Sequence, residues 1–428
     1  MLDIKFIKEN QELVKDAIKN KNIKAEIDFD VLIGLYEKRL QIKKDIDELN
    51  RQKNEAAKTR NIEEGIRIKN ELSNLDPQLE TVTKEFMTIM GLLPNIPSAD
   101  TPIGPDESGN QVIRNWGTPK QFDFTPKEHF DLGRALGVID TETATEVSGS
   151  RFAYLKGGLA LMQFALVQHV FSILTNEEII KNITTGSKIS VPTKPFIPVV
   201  PPVMIRPAVY SRMDRLEPKD ERYYIPSDDI YLIGSAEHTM GSMHMDHIFE
   251  EDELPIRYIG YSTAFRREAG AAGKDTKGIL RVHQFDKLEM ETFCLPEQSI
   301  QEQELLVAMQ EHFLQTLNLP YQVVLICTGD MGKPDYRQID IETWMPGQNR
   351  YRETHTADLM TSFQARRLNT RVRRKDGTIE PVHMNDATAC AIGRLLIAIM
   401  ENYQNADGTI TVPEVLVPHL GGMKVISK

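Results

Sequence analysis

From about Phe29 to Leu93 the chain repeats apolar residues at heptad spacing, and this segment restricts the fold more than any other. Ile68, Leu72, Leu75, Leu79, Val82, Phe86, Ile89 and Leu93 alternate steps of four and three, the seam of a coiled coil. Upstream, Leu35, Ile42 and Leu49 fall seven apart with Leu32 and Ile46 between them, while Arg39 and Lys53 interrupt the other seam position. The spacing predicts two antiparallel helices, with the turn in KTRNIEEG, residues 58–65. Two ordinary core helices would carry a broader apolar stripe. Pro77 removes one backbone bond and crowds the preceding turn, so a kink or break is expected near Asp76.

The run PNIPSADTPIGPDESGN after Leu93 is dense in Pro and Gly, cannot continue a helix, and reads as a linker. A chain of 428 residues exceeds one hydrophobic core. The expected division is residues 1–110, carrying the helical arm over about 29–93, and residues 111–428. In the second part, runs such as VVLIC and ILRVHQF predict strands and QEQELLVAMQEHFLQTL predicts a helix, an α+β texture with a mainly antiparallel sheet.

The net charge of -11 argues against coating nucleic acid through the overall field, but it leaves room for a local basic patch. Arg51, Lys53, Lys58, Arg60, Arg67 and Lys69 cluster near the predicted arm tip, where they are either a solvated helix surface or phosphate contacts. Cys294, Cys327 and Cys390 are widely spaced without a CxxC pair, which predicts neither a disulfide framework nor a zinc-thiolate site and suits a reducing cytoplasm. The N-terminal residues lack an apolar signal core, and no stretch approaches the roughly 20 apolar residues of a membrane span. No export signal and no membrane anchor are expected.

The densest chemistry lies in FRREAGAAGKDTKGILRVHQFDKLEME, residues 265–291. Arg266 and Glu268 are two apart, as are Phe285, Lys287 and Glu289, so each set is expected on one face of a strand. A guanidinium holds phosphate and an aromatic ring stacks on a purine. The loop GAAGKDTKG between them suits ATP phosphates or an incoming RNA end.

The whole string resembles motif 2 of class II aminoacyl-tRNA synthetases (about 262–291), and RVHQFDK is similar to the seryl family in particular. MPGQNRYRETHTADLMTSFQARRLNTRVRR, residues 345–374, resembles that family's metal and phosphate block, with Thr356 where a serine is usual. NDATACAIGRLLIAIMENYQ, residues 385–404, resembles motif 3, with Asp386 where many relatives have asparagine. KPFIPVVPPVMIRPAVY (motif 1, about 194–210) supplies Pro202, and IYLIGSAEHTM places Ser235, Ala236 and Glu237 at a TxE loop.

The resemblance implies a class II antiparallel sheet flanked by helices, with a coiled-coil arm that reads tRNA. It implies MgATP, L-serine and tRNA(Ser) as substrates, with tRNA(Sec) a further candidate, and a cytoplasmic homodimer without zinc. Arg266, Glu353 and Arg394 would carry the chemistry. Ser235, Ala236, Glu237, Arg266, Glu289 and Thr388 would hold serine. Arg266, Arg267, Glu268, Val282, Phe285, Glu353, Thr354, His355, Thr356 and Arg394 would hold ATP, and Glu353 with Thr356 the magnesium. A relative that loads a carrier protein would lack the complete arm, and a non-catalytic paralogue would have lost Arg266, Glu353 or Arg394.

Overall fold

The computed structural model describes residues 1–271, 275 and 277–428. Internal contacts divide the chain into Met1–Ile96 and Pro97–Lys428. The linker is tied to the second unit: Ser98 N donates to Tyr336 O at 2.7 Å and Thr328 N to Pro102 O at 2.9 Å.

The first unit is helical: α1 (Ile4–Glu9), α2 (Gln11–Asn20), α3 (Phe29–Lys58) and α4 (Ile62–Leu92). Asp28 caps α3 by accepting from Asp30 N and Val31 N, and Asn61 caps α4 by accepting from Glu64 N. The turn is shorter than the sequence reading, 59–61, because Arg60 takes a left-handed φ of 53° and closes it at once. Leu32, Ile42 and Leu49 meet Ile68, Val82 and Phe86 as buried seam residues. The seam interruption at Arg39 is absorbed: its Nε donates to Thr83 Oγ1 at 3.2 Å and its guanidinium lies 5.6 Å from the Phe86 ring centroid. At the base, Ile7, Val14, Phe29 and Met90 form a small core with the seam residues Leu32 and Phe86.

Of the kink or break expected near Asp76, the break does not occur: α4 runs through Pro77. Pro77 and Ser73 both lie on the exposed face, so the carbonyl that proline deprives of its donor faces water.

The second unit is built on an eight-stranded sheet: β1 (Gln111–Trp116), β2 (Ile197–Val199), β3 (Ile256–Phe265), β4 (Gln284–Cys294), β5 (Tyr321–Leu325), β6 (Arg337–Met345), β7 (Arg350–Thr361) and β8 (His383–Ala391). Their order is β1-β5-β6-β7-β8-β4-β3-β2, antiparallel except for the parallel pair of β2 and β3. The α+β, mainly antiparallel expectation holds. Helices α5 (Gly157–Leu174), α6 (Ser299–Thr316) and α7 (Ile392–Asn402) pack their buried residues into one large core with the sheet.

Two sequence expectations change here. ILRVHQF does not form a strand before Gln284; residues 279–283 run as turn and bend after Gly278, whose φ is 71°. Helix α5 is also long and apolar enough to cross a membrane by length and composition alone. Gln163, Gln168 and His169 interrupt it and hid that feature, and Leu159, Met162, Leu166 and Val170 are buried in the core.

Candidate active site

Strands β4, β7 and β8 bring their chemistry to one cavity through two bulges. Glu353 and Thr356 are three residues apart, which in a regular strand would send them to opposite faces. The register of β6 and β7 slips between Ile341 and Glu342, leaving Thr354 as the extra residue, and Glu353, Thr354 and Thr356 all line the cavity. A second slip, between β4 and β8 at Leu288/Glu289, leaves Ala389 extra and sets Glu289 opposite Thr388. It also lets Thr388 and Ala391 share the cavity wall. Buried Gln310 of α6 ties both bulged strands, its Nε2 donating to Thr356 O at 2.7 Å and to Thr388 O at 2.8 Å. These carbonyls lie just beyond the ladder that begins at Ala357 and Ala387.

Of the residues singled out in the sequence, Arg266, Glu268, Val282, Phe285, Glu353, Thr354, Thr356, Thr388 and Arg394 line this cavity together. Arg266 and Glu268 do so without sharing a strand face, because β3 ends at Phe265 and Glu268 takes a left-handed φ of 52°. The Arg266 guanidinium rests over Phe285, 5.3 Å from the ring centroid, while its Nε donates to Gly234 O at 3.0 Å. Arg394 sits in the first turn of α7 and pairs with Glu353, Nη1 to Oε1 at 2.8 Å. Arg267 and His355 are not on this wall: Arg267 is exposed, and His355 is buried with Nδ1 2.9 Å from Thr354 Oγ1. Burial pushes the His355 imidazole down to about 3, so the ring is neutral. In the loop after Arg266, residues 272–274 and 276 lie outside the described residues, four of the nine positions of the stretch expected to meet phosphates or RNA.

Beside the cavity is a buried polar group that fits an amino acid. Ser235 Oγ donates to Glu289 Oε2 at 3.3 Å, and Lys287 Nζ reaches Ser235 Oγ at 3.2 Å and Glu289 Oε2 at 2.5 Å. The alternation of Phe285, Lys287 and Glu289 along β4 was the signal for Lys287. Glu237 opens a short helix, Glu237–Met240, held by His238, whose Nδ1 accepts from Gly234 N at 3.1 Å and lies 2.9 Å from Tyr210 Oη.

Burial opposes ionisation of Glu237, but Lys287, His238 and Arg215 outweigh it and hold the carboxyl below its ordinary range. Glu289 goes the other way: burial pushes it up to about 8 even with Lys287 beside it. Asp386, buried and 3.3 Å from Arg215 Nη2, is raised to about 7, chiefly by burial. Sequence reasoning missed Arg215, Glu291, Asp335 and Asp358, which surround Asp386 and come from four separate segments of chain with no shared motif.

Among the described residues no group of three His, Cys, Asp or Glu side chains is placed to hold a metal ion. Glu353 and Thr356 nevertheless offer a carboxylate and a hydroxyl on the cavity wall, oxygen donors that suit a hard cation completed by phosphate oxygens and water. On the arm, Arg51 pairs with Glu48, Lys58 with Glu55, and Arg67 with Glu64 and Glu71. Lys53, Arg60 and Lys69 are exposed near the tip and have no carboxylate within 4.0 Å among the described residues.

Comparison with known proteins gives the same picture in both units. Residues 1–97 match the Seryl-tRNA synthetase N-terminal domain, and residues 222–403 match the tRNA synthetase class II core domain (G, H, P, S and T). The serine–tRNA ligase of Symbiobacterium thermophilum is 40% identical, over 98% of both chains. Among solved structures, the Pyrococcus horikoshii seryl-tRNA synthetase complexed with ATP is similar with a TM-score of 0.85 at 35% identity, covering 100% of this chain and 99% of that one. The cytoplasmic serine–tRNA ligase of Naegleria fowleri, in complex with AMP, has a TM-score of 0.81 at 29% identity with the same coverage. With its helical arm, its bulged catalytic sheet and a relative so similar from end to end, this chain belongs to the seryl-tRNA synthetase family of class II synthetases.

Proposed function

We propose that the chain activates L-serine with MgATP and transfers the seryl group to tRNA(Ser). The observation that carries this reading is the junction at Thr388: one wall holds Arg266, Phe285, Glu353 and Arg394, and the residue opposite Thr388 is Glu289 of the amino-acid group.

The reaction needs no protein nucleophile. The serine carboxylate displaces pyrophosphate from the α-phosphorus of ATP, and the seryl-adenylate then passes its acyl group to the terminal ribose of the tRNA. Catalysis is positioning and charge neutralisation. Glu237 and the Ser235–Ala236 loop would hold the serine ammonium, and Glu289 with Thr388 its hydroxyl, an arrangement that disfavours alanine by leaving buried acceptors unmatched. Arg266 would neutralise the α-phosphate, Phe285 and Arg394 would enclose the adenine, and Glu268, Val282 and Thr354 would complete the ATP wall, with His355 behind it as a support to Thr354 and Arg267 outside it. Glu353 and Thr356 would hold magnesium, which shields phosphate charge when bound.

The tRNA function belongs to the first unit, where Lys53, Arg60 and Lys69 offer free cations and the exposed pairs of Arg51, Lys58 and Arg67 can exchange a carboxylate for a phosphate. tRNA(Sec) is included as a second acceptor for the same assay. A homodimer through residues 194–210 is supported by β2, an edge strand with Ile197 50% exposed, followed by Val200 at 82%. The setting proposed is the cytoplasm, and the reaction as written uses no zinc. ATP–pyrophosphate exchange tests the activation half: L-serine should stimulate it, and alanine and threonine should do so at least about a hundredfold less well. Exchange that ignores the choice among these amino acids would overturn the assignment.

A further inference from the structure

Beyond the serine group the sheet carries a row of acids that the reaction above does not use. Glu291 lies two residues past Glu289 on the same face of β4, about 7 Å further along the strand. It is opposite Asp386 of β8, which is opposite Asp358 of β7. The nearby cations are already committed. Arg215 Nη2 lies 3.3 Å from Asp386 Oδ2, 3.5 Å from Asp358 Oδ2 and 3.9 Å from Asp335 Oδ1. Lys287 serves Glu289.

Glu291 has neither cation. It is 0% exposed and neither carboxylate oxygen has a hydrogen-bond partner among the described residues. Glu289 Oε1 and Glu237 Oε2 are also buried and without a partner. A buried carboxylate without a donor or counter-charge is costly, so this set calls for donors from a ligand. Serine brings one ammonium, matched to Glu237, and one hydroxyl, matched to Glu289. With serine's ammonium and hydroxyl assigned in this way, neither is left for the oxygens of Glu291.

We propose that the pocket also takes short diamino acids whose side chain ends in an ammonium, with Glu291 and the free Oε1 of Glu289 as the groups that select that second cation. The inference rests on the amino-acid site proposed above. The chemistry is unchanged: the diamino acid's carboxylate displaces pyrophosphate from ATP, giving an aminoacyl-adenylate. Burial, then Asp386 from β8, Glu237 from its short helix and Glu289 from the same strand, push the Glu291 carboxyl well above its ordinary range against the pull of Arg215. The ionised form is therefore disfavoured in the free protein, and an arriving ammonium would favour it.

Pyrophosphate exchange with the full chain tests this, using L-serine, L-2,3-diaminopropanoate, L-2,4-diaminobutanoate and L-2-aminobutanoate, the last replacing the shorter side-chain ammonium by a methyl of similar size. One of the two diamino acids should exceed 2-aminobutanoate by at least about tenfold in kcat/KM, and Glu291→Gln should remove that advantage while leaving serine within about threefold. Serine-dependent exchange with neither diamino acid above 2-aminobutanoate overturns the inference alone, as does an equal loss for serine and diamino acid in Glu291→Gln. No serine-dependent exchange in the unmodified protein overturns the underlying reading as well. If Glu291→Gln fails to fold, the comparison of diamino acids with 2-aminobutanoate in the unmodified protein decides.

Discussion

Glu289 meets Ser235 and Lys287 through one carboxylate oxygen, while the other is buried and has no hydrogen-bond partner among the described residues. Glu289→Ala should lower kcat/KM for serine by the worth of a buried hydrogen bond to a charged group, about 1.5–3 kcal/mol or roughly 10- to 150-fold, while KM for ATP changes little. Exchange kinetics across serine concentration measure both, and an unchanged serine dependence would contradict the assignment. The pH dependence of serine binding follows from the same acids. Burial raises Glu289 to about 8 and Asp386 to about 7, so near neutrality these carboxyls carry protons in the free protein. An incoming ammonium favours their ionised forms, so binding releases protons and serine affinity should rise as pH goes from 6 to 8, by up to about tenfold per pH unit for each proton released. Calorimetry in buffers of different ionisation enthalpy reads the proton count, and a pH-independent Kd would contradict this account. The single residues Arg266, Phe285, Glu289, Glu353, Thr388 and Arg394 were legible because each sits in a motif with its chemistry in view. Arg215 and Glu291 were not, because only the fold brings Asp335, Asp358 and Asp386 to Arg215 and sets Asp386 opposite Glu291.

Elements were legible where one periodicity ruled. The heptads gave both arm helices, because a two-helix seam leaves a pattern that solvent exposure of the other positions keeps clean. The two bulges were not legible, since an extra residue such as Thr354 or Ala389 shows only when the neighbouring strand is paired against it. Pro77 does not end the helix, because its cost depends on whether the freed carbonyl can reach water, which the exposed face allows. The arm also supplies a test of its own. Arg39 and Thr83 face each other across the seam, so replacing residues 40–82 with a short Gly-rich turn keeps the base core of Ile7, Val14, Phe29 and Met90. That variant should retain serine-dependent pyrophosphate exchange within about twofold and lose tRNA charging by at least about tenfold, as expected when phosphate contacts dominate affinity. A folded variant, checked by circular dichroism, that charges tRNA as well as the full chain would remove the arm from the mechanism.

At the scale of the whole molecule, two units with different physics divide the work. Met1–Ile96 is a helical unit with a narrow seam and a charged surface; Pro97–Lys428 encloses a large apolar core beneath a polar, bulged sheet. The net charge of -11 lets the tip cations of the arm stand out against an acidic background. The central claim is that this chain joins serine to tRNA at the expense of ATP, and one assay reaches it directly: incubation of the purified protein with radiolabelled L-serine, MgATP and total bacterial tRNA, followed by acid precipitation. The account predicts ATP-dependent label on tRNA(Ser), abolished by omitting ATP and reduced at least about a hundredfold by Arg266→Ala, since that residue is assigned to charge that develops in the transition state. Label that fails to enter tRNA, while serine-dependent pyrophosphate exchange proceeds, would contradict it.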